Sequence, residues 1–385
     1  MGPVRVAVVG AGAFGRNHLR VYRELEQAGY PVELCAVIDR DADAMRAAVA
    51  KYNVPGFRTI EDCLAAGRLD AASVCAPTVA HAECARTLLA AGVDLLIEKP
   101  LAANLEDADE ISGLARRLGR VVQVGHLERF NPAVRAVREL LNRPMFFEVH
   151  RLSVFTPRSL DVDVVLDLMI HDLDIVLKLV GAGSGNGVRE VRAVGLPVLS
   201  KKVDIANVRL EFENGCVANF TASRVSTERV RKMRFFQPHQ YLSLDFARQD
   251  LLMIDVTAAA GMDLAQLAKM AKLVQPTHDD KAVMSGAPAN LSNPTHDDKA
   301  VMSGAPGASH SAHNDKTAMS GAPGMSIRKV PVEAGEPLRL EIEAFLEAVR
   351  TRTEPVVTVE DGRAALKLAL EINASMAAHA RRTGL

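Results

Sequence analysis

Val4-Arg5-Val6-Ala7-Val8-Val9-Gly10-Ala11-Gly12-Ala13-Phe14-Gly15 is the stretch on which the fold turns. Its first six residues, mostly apolar and β-branched, suit a short buried strand. Residues 17–28 place Leu19, Val21, Tyr22 and Leu25 among charges, the spacing of a helix. GxGxxG between a strand and a helix is the context a dinucleotide site needs. Gly10 permits the tight turn, Gly12 lets the backbone approach a pyrophosphate, and Gly15 lets helix and strand pack closely. The phosphates would rest on the helix N-terminus, where free N–H groups and the dipole favour an anion. Gly10, Ala11, Gly12, Ala13, Phe14 and Gly15 are thus the expected phosphate loop.

Outward from this loop, strand patterns over 32–38, 71–76, 94–97 and 121–124 alternate with helical ones over 41–52, 81–91 and 105–118. That alternation implies a parallel sheet covered on both faces. After residue 145 the pattern becomes strand after strand, over 146–152, 188–198, 203–212, 216–223 and 232–236. Asn214-Gly215 supplies a hairpin turn, and 164–180 forms an embedded helix. Helices return over 338–350 and 360–380. The expected class is α/β: an N-terminal Rossmann, doubly wound parallel sheet (1–125), then a C-terminal α+β domain (126–385) with a large, mostly antiparallel open sheet. The helix over 357–380 is expected to pack back on the Rossmann domain.

The chain has 385 residues, 48% hydrophobic and 24% charged, within the globular range. Lys plus Arg (46) and Asp plus Glu (47) nearly cancel, so nothing draws the protein to nucleic acid or an anionic membrane. With 12 Phe, 4 Tyr and no Trp, base-stacking platforms are not expected. Five scattered cysteines without a CxxC pair suit a reducing compartment. No apolar run approaches the roughly 20 residues of a membrane span. The default is a soluble, cytoplasmic protein.

PTHDDKAVMSGAPA from Pro276 recurs as PTHDDKAVMSGAPG from Pro294, with a degraded third copy from His313. Residues 276–324 therefore form a low-complexity repeat, expected to be a disordered insertion loop. Its histidines beside acids lack the ligand spacing of a folded metal site, and no metal is expected.

Three further places carry chemistry. Asp39 ends the second strand, where a carboxylate can take both ribose hydroxyls of NAD; Arg40 beside it could instead meet the 2′-phosphate of NADP. Glu98-Lys99-Pro100 lies at a strand's C-terminal end, the edge where open α/β sheets bind ligands. A lysine there, shielded from water, could hydrogen-bond a reacting hydroxyl; on the tripeptide alone a solvated surface lysine is the plainer reading. In VVLDLMIHDLDIVLKLV (164–180), Asp167, His171, Asp174 and Lys178 make one polar stripe on a helix, with Asp172 outside it. Asp167 one turn before His171 can orient a basic imidazole. An amphipathic helix with its wet face outward is the plainer alternative.

GAGAFGRNH, Pro77-Thr78 with His81, Glu98-Lys99-Pro100, DLMIHDLD and VTVEDGRAALKLALEINAS together resemble the Gfo/Idh/MocA family of sugar oxidoreductases. The resemblance spans most of the chain outside the repeat. It implies catalytic roles for Lys99, Asp167 and His171, places Pro77, Thr78, His81 and Glu98 near the cofactor, and suggests a homodimer or homotetramer through the open sheet. Gln123–Pro132 and the stretch from Arg158 to His171 are most similar to the family's bacterial UDP-N-acetylglucosamine 3-dehydrogenases, which serve lipid A synthesis. That likeness implies a nucleotide-sugar substrate held by Lys99, Arg129, Asn131, Arg158 and His171. Oxidation of another sugar or polyol, or a non-catalytic dinucleotide sensor, remain open alternatives.

Overall fold

The computed structural model describes residues 2–155, 162–181, 186–257, 266, 318–319 and 325–384. The repeat at 276–324, apart from Ala318–Met319, and Arg158 lie outside the described residues. By contacts the chain forms two units, residues 1–251 with 330–385, and residues 252–329. In the smaller unit, Ala318 pairs with Arg328 and Met319 with Ile327, antiparallel.

The larger unit begins with a parallel sheet. Its elements are β1 (Val4–Val9), α1 (Ala13–Gln27), β2 (Val32–Ile38), α2 (Ala42–Tyr52), β3 (Gly56–Phe57), α3 (Ile60–Ala66), β4 (Ala71–Val74), α4 (His81–Ala90), β5 (Asp94–Glu98), α5 (Leu105–Leu118) and β6 (Val122–Gly125). Strand order is β3-β2-β1-β4-β5-β6, the doubly wound Rossmann arrangement with its switch point between β1 and β4. Val6, Ala7 and Val8 of β1 are fully buried, as a strand covered on both faces requires. Helix starts are fixed locally. Asp41 accepts from the Asp43 and Ala44 amides, Asn104 from Asp107, and Thr59 from Asp62.

The second sheet follows α6 (Pro132–Leu140). It contains β7 (Phe146–Val154), then, after α7 (Ile170–Val180), β8 (Val188–Leu196), β9 (Ile205–Phe212), β10 (Val217–Ser226), β11 (Val230–Gln237) and β12 (Gln240–Asp245). Within this unit the order is β12-β11-β7-β10-β9-β8, antiparallel except for the parallel β7–β10 pair. Gly215, at φ 80°, turns the chain between β9 and β10, as Asn214-Gly215 predicts. One face of β9 is buried through Ala206, Val208, Leu210 and Phe212, while the alternating residues Asn207 and Arg209 face outward. The chain closes with α8 (Pro337–Thr351) and α9 (Val359–Thr383).

One helix bridges the two sheets. Helix α9 packs on α5 and β6 of the first sheet and on α7 and β8 of the second. Gly362 of α9 permits this approach: a Cβ there would lie 2.7 Å from Val124. β3, α3, α6 and β12 are absent from the sequence expectation. The expected helix over 164–180 is also altered. Residues Val165–Met169 form a π-helical turn before α7, with Asp163 accepting from the Val165 and Leu166 amides. Its wider winding rotates the residues of a regular stripe out of line.

Candidate active site

At the phosphate loop, a Cβ on Gly10 would lie 2.6 Å from the Cys75 carbonyl oxygen, and one on Gly15 would strike the Gly10 carbonyl. Both glycines therefore answer to packing. A Cβ on Gly12 would meet nothing within 4 Å, so no protein atom demands glycine there. Gly12 is the N-cap of α1, with no side-chain cap and no acid in the first turn. An open approach to uncapped amides fits a dinucleotide pyrophosphate. Ala13 and Phe14 are exposed on the same turn, and Ala11 is buried.

Asp39 stands beside this loop, its Oδ2 accepting from the Ala11 amide at 2.6 Å and its Oδ1 from the Asp41 amide at 2.8 Å. A cleft of about 430 Å³ opens there, lined by Gly10, Ile38, Asp39, Arg40, Pro77 and Ala80 among others. Arg40 reaches out to Glu83 at 3.1 Å across its rim, and Arg58 donates to the Arg40 carbonyl. Thr78 opens a short 3-10 turn after Pro77. The cleft matches the adenosine half of a dinucleotide; Lys99 and His171 lie elsewhere.

Lys99 follows β5, next to a cis peptide with Pro100. Its Nζ donates to the Asp167 carbonyl at 2.8 Å and lies 4.0 Å from Asp167 Oδ1. Burial pulls the Lys99 pKa down, while Asp167 and Glu98 oppose the change. His171, on the first turn of α7, is buried, and its Nδ1 has no hydrogen-bond partner among the described residues. Burial drives its pKa well below 6.5, assisted by the charges of Lys99 and Arg151. Burial thus disfavours the charged form of both Lys99 and His171, and the charge of Lys99 bears on His171. Asp167, expected to orient His171, also engages Lys99 through its backbone carbonyl, and it lies in the π turn that precedes α7.

The rest of the polar stripe is committed to ion pairs. Arg129 makes two bonds to Asp174, at 2.6 and 2.7 Å, and lies 3.5 Å from Asp361. Asn131 donates to Glu128 and to the Phe246 carbonyl, and its Oδ1 caps α6. Arg129 and Asn131, expected to hold the substrate, are both buried, with Arg129 Nε and Nη2 and the Asn131 amide bonded inside the protein. Asp172 is buried against Arg151, which also reaches Glu128. Lys178 pairs with Asp361 at 3.5 Å.

Two residues expected near the cofactor are bonded within the protein. Glu98 is turned inward, with Oε1 2.9 Å from His18 Nε2 and Oε2 accepting from the Lys99 amide at 3.3 Å. It steadies Lys99 from beneath. His81 is buried, with Nε2 2.9 Å from the Ala76 carbonyl and Nδ1 3.1 Å from that of Pro100. It ties the loops after β4 and β5 together. Both side chains find polar partners within the protein, which no motif spacing discloses.

Sequence reasoning missed His126, which follows β6, is buried, and has no hydrogen-bond partner for either ring nitrogen among the described residues. It also missed the buried cluster of His18, Ser73, Tyr22 and Glu98 beneath the phosphate loop. His18, Cys75 and Glu98 bring ligand-type atoms within 4.8 Å of one another. Yet Ser73 and Glu98 engage both His18 nitrogens, and burial pushes the Cys75 thiol well up. The donor set suits a closed hydrogen-bond network better than a cation.

A phosphate loop at the switch point, with a lysine and a neutral histidine nearby, defines a dinucleotide-dependent oxidoreductase. The profile of the Gfo/Idh/MocA family, described as an oxidoreductase family with an NAD-binding Rossmann fold, matches residues 4–126. UDP-N-acetylglucosamine 3-dehydrogenase of Acidithiobacillus ferrooxidans is 38% identical over 249 residues, 64% of this chain and 76% of that protein. Inositol 2-dehydrogenase of Corynebacterium glutamicum is 32% identical over 190 residues, 46% of this chain and 55% of that one. The solved structure of the Acidithiobacillus enzyme, GnnA, superposes with a TM-score of 0.76 at 30% identity, covering 98% of this chain and 99% of that one. The chain belongs to the Gfo/Idh/MocA family. Its activity is that of an NAD-binding sugar dehydrogenase, as its sequence motifs imply.

Proposed function

We propose that the protein oxidises a sugar hydroxyl to a ketone with NAD, and that its substrate is UDP-N-acetylglucosamine, oxidised at the 3-hydroxyl. The observation that carries this reading is the shielded Lys99 ammonium held against Asp167, near a neutral His171. Similarity to the Acidithiobacillus enzyme supports the substrate. Bound NAD supplies the hydride acceptor at nicotinamide C4. Lys99 holds the reacting oxygen, and His171 takes its proton as the C–H bond gives up hydride. The neutral imidazole is ready as a base because burial and nearby cations disfavour its protonation. Asp39 favours NAD by accepting from ribose hydroxyls, while Glu83 occupies the Arg40 guanidinium.

Arg231 offers a cation for the diphosphate in place of Arg129. It is exposed and pairs in register with Arg151 across β7 and β11, so both side chains leave the same face. The reading includes a cytoplasmic protein whose keto product passes to an aminotransferase in lipid A synthesis. Among the described residues, no helix is long and apolar enough to cross a membrane. Self-association through the open sheet is supported by an aromatic group, Phe146, Phe236 and Tyr241, with ring centroids 5.8 and 5.1 Å apart. The test is to mix protein, NAD and UDP-N-acetylglucosamine, follow nicotinamide absorbance and identify the product by NMR. Formation of the 3-keto sugar is expected; no turnover, with inositol oxidised instead, would overturn the substrate.

A further inference from the structure

We propose that His126 binds the substrate, hydrogen-bonding the polar substituent on a carbon next to the one oxidised. The proposal rests on the sugar-dehydrogenase reading above and names a second contact in the same site. It begins from an imbalance. His126 is 1% exposed, yet neither Nδ1 nor Nε2 has a partner among the described residues. A buried polar group without a partner is costly, and few native side chains carry two such atoms. A neutral imidazole presents one donor and one acceptor, the complement of a hydroxyl or an amide.

Its place in the fold selects the ligand. Going outward from the switch point, β1 ends in the phosphate loop, β4 in Pro77, β5 in Lys99 and β6 in His126. Gly125 pairs directly with Glu98, so His126 lies at the same sheet edge as Lys99, one strand farther from the phosphate loop. A Cβ on Gly125 would come within 3.0 Å of the Glu98 Cα, so the two strand ends are in close contact. Each strand step is about 4.8 Å. His126 is thus displaced from the nucleotide crevice toward the segment that leads into the second sheet. Charge on Lys99 bears on His126, and charge on His126 bears on His171, so the three groups share one neighbourhood. Lys99 and His171 serve the reacting hydroxyl. His126, set to one side of Lys99, is placed for the neighbouring substituent. For UDP-N-acetylglucosamine these neighbours are the 2-acetamido and 4-hydroxyl groups.

The experiment uses the full chain with His126→Phe, which keeps a ring without its hydrogen bonds, and His126→Asn, which restores a donor and an acceptor. NADH affinity is read from nicotinamide fluorescence, and sugar affinity from titration of the protein–NADH complex. For His126→Phe, NADH binding should stay within about twofold and sugar binding should weaken about tenfold, the loss of one to two hydrogen bonds. Asparagine should recover part of that loss, and should serve as the reporting variant if phenylalanine prevents folding. The wild type should reject the 2-deoxy or the 4-deoxy analogue, and His126→Phe should bind that analogue as well as the parent sugar. Weakened NADH with unchanged sugar binding would assign His126 to the nicotinamide carboxamide and overturn the proposal. Unchanged affinities for both, or intact discrimination against both analogues, would make it a structural histidine and overturn it as well. The titration uses whichever sugar or polyol the wild type oxidises, so failure of UDP-N-acetylglucosamine alone counts against the substrate reading and leaves His126 to be judged on its own.

Discussion

Replacing Arg129 with methionine separates a structural arginine from a substrate-binding one. The guanidinium makes two bonds to Asp174, at 2.6 and 2.7 Å, and lies 3.5 Å from Asp361. Asp174 is 1% exposed, so the variant would leave a carboxylate buried without its cation. Asp361 would keep Lys178 at 3.5 Å and the Thr358 amide at 3.2 Å. The dominant loss is therefore at Asp174, and stranding one member of a buried pair costs about 3–5 kcal/mol. Removing both members, as Arg129→Met with Asp174→Leu, should cost much less, about 0–2 kcal/mol, because no uncompensated charge remains. A urea-denaturation double-mutant cycle measures the difference. Substrate KM, which does not depend on the folded fraction, should stay within about twofold, since no hydrogen bond to the ligand is being removed. Destabilisation below about 1 kcal/mol, together with a tenfold rise in KM, would refute the structural assignment.

Lys99→Met should lower kcat by about 10²–10⁴ with NADH affinity retained; near-normal turnover would remove Lys99 from the mechanism. Gly12→Val should fold normally and lose NADH binding, because its side chain would enter open space over the helix N-terminus. Gly15→Val should instead fail to fold, since its Cβ would strike the Gly10 carbonyl; equal melting temperatures for the two variants would contradict this. His81, His126 and His171 have folded pKa values below 6.5, so the unfolded chain binds more protons as pH falls through that value. Stability should drop below about pH 6.5 by up to about 1.4 kcal/mol per pH unit for each histidine; a melting temperature that stays flat between about pH 7 and 5.5 would refute it. Glu341 has the opposite sign: burial raises its pKa, so its contribution is lost as pH rises above 4.5 toward the folded value. Glu341→Gln should therefore gain stability relative to wild type with increasing pH, as measured by thermal melts.

The Rossmann half was legible because its signals are local. Alternating apolar runs, glycines 10, 12 and 15, and caps such as Asp41 and Asn104 act within a few residues. The position of Lys99 at the C-terminal end of β5 was legible from the strand pattern and the proline after it, whereas its burial was not. The partners of the stripe over 164–180 were not. Whether Asp174 faces solvent or Arg129 depends on residues 45 positions apart, and whether Asp172 meets Arg151 depends on a strand 21 positions away. Periodicity identifies a polar face but carries no information about what covers it. The π turn at Val165–Met169 was hidden for a related reason, because Asp163 and the packing of neighbouring elements decide it. His126 carries no helical or strand period and lies between β6 and a short 3-10 helix, so only its burial and unpartnered nitrogens singled it out.

Helix α9 also bears on how the chain is made. The Val124 amide of β6, the outermost strand of the first sheet, donates to the Val357 carbonyl at 3.1 Å, just before α9 begins. A strand edge that nothing covers is a template for another chain. During synthesis that edge emerges long before residue 357, and at about 5–20 residues per second it waits roughly ten to fifty seconds for its cover. Nascent chains and C-terminal truncations alike would expose it. The segment at Val357 is thus a guard against cross-chain pairing as well as the lead into a brace between the sheets.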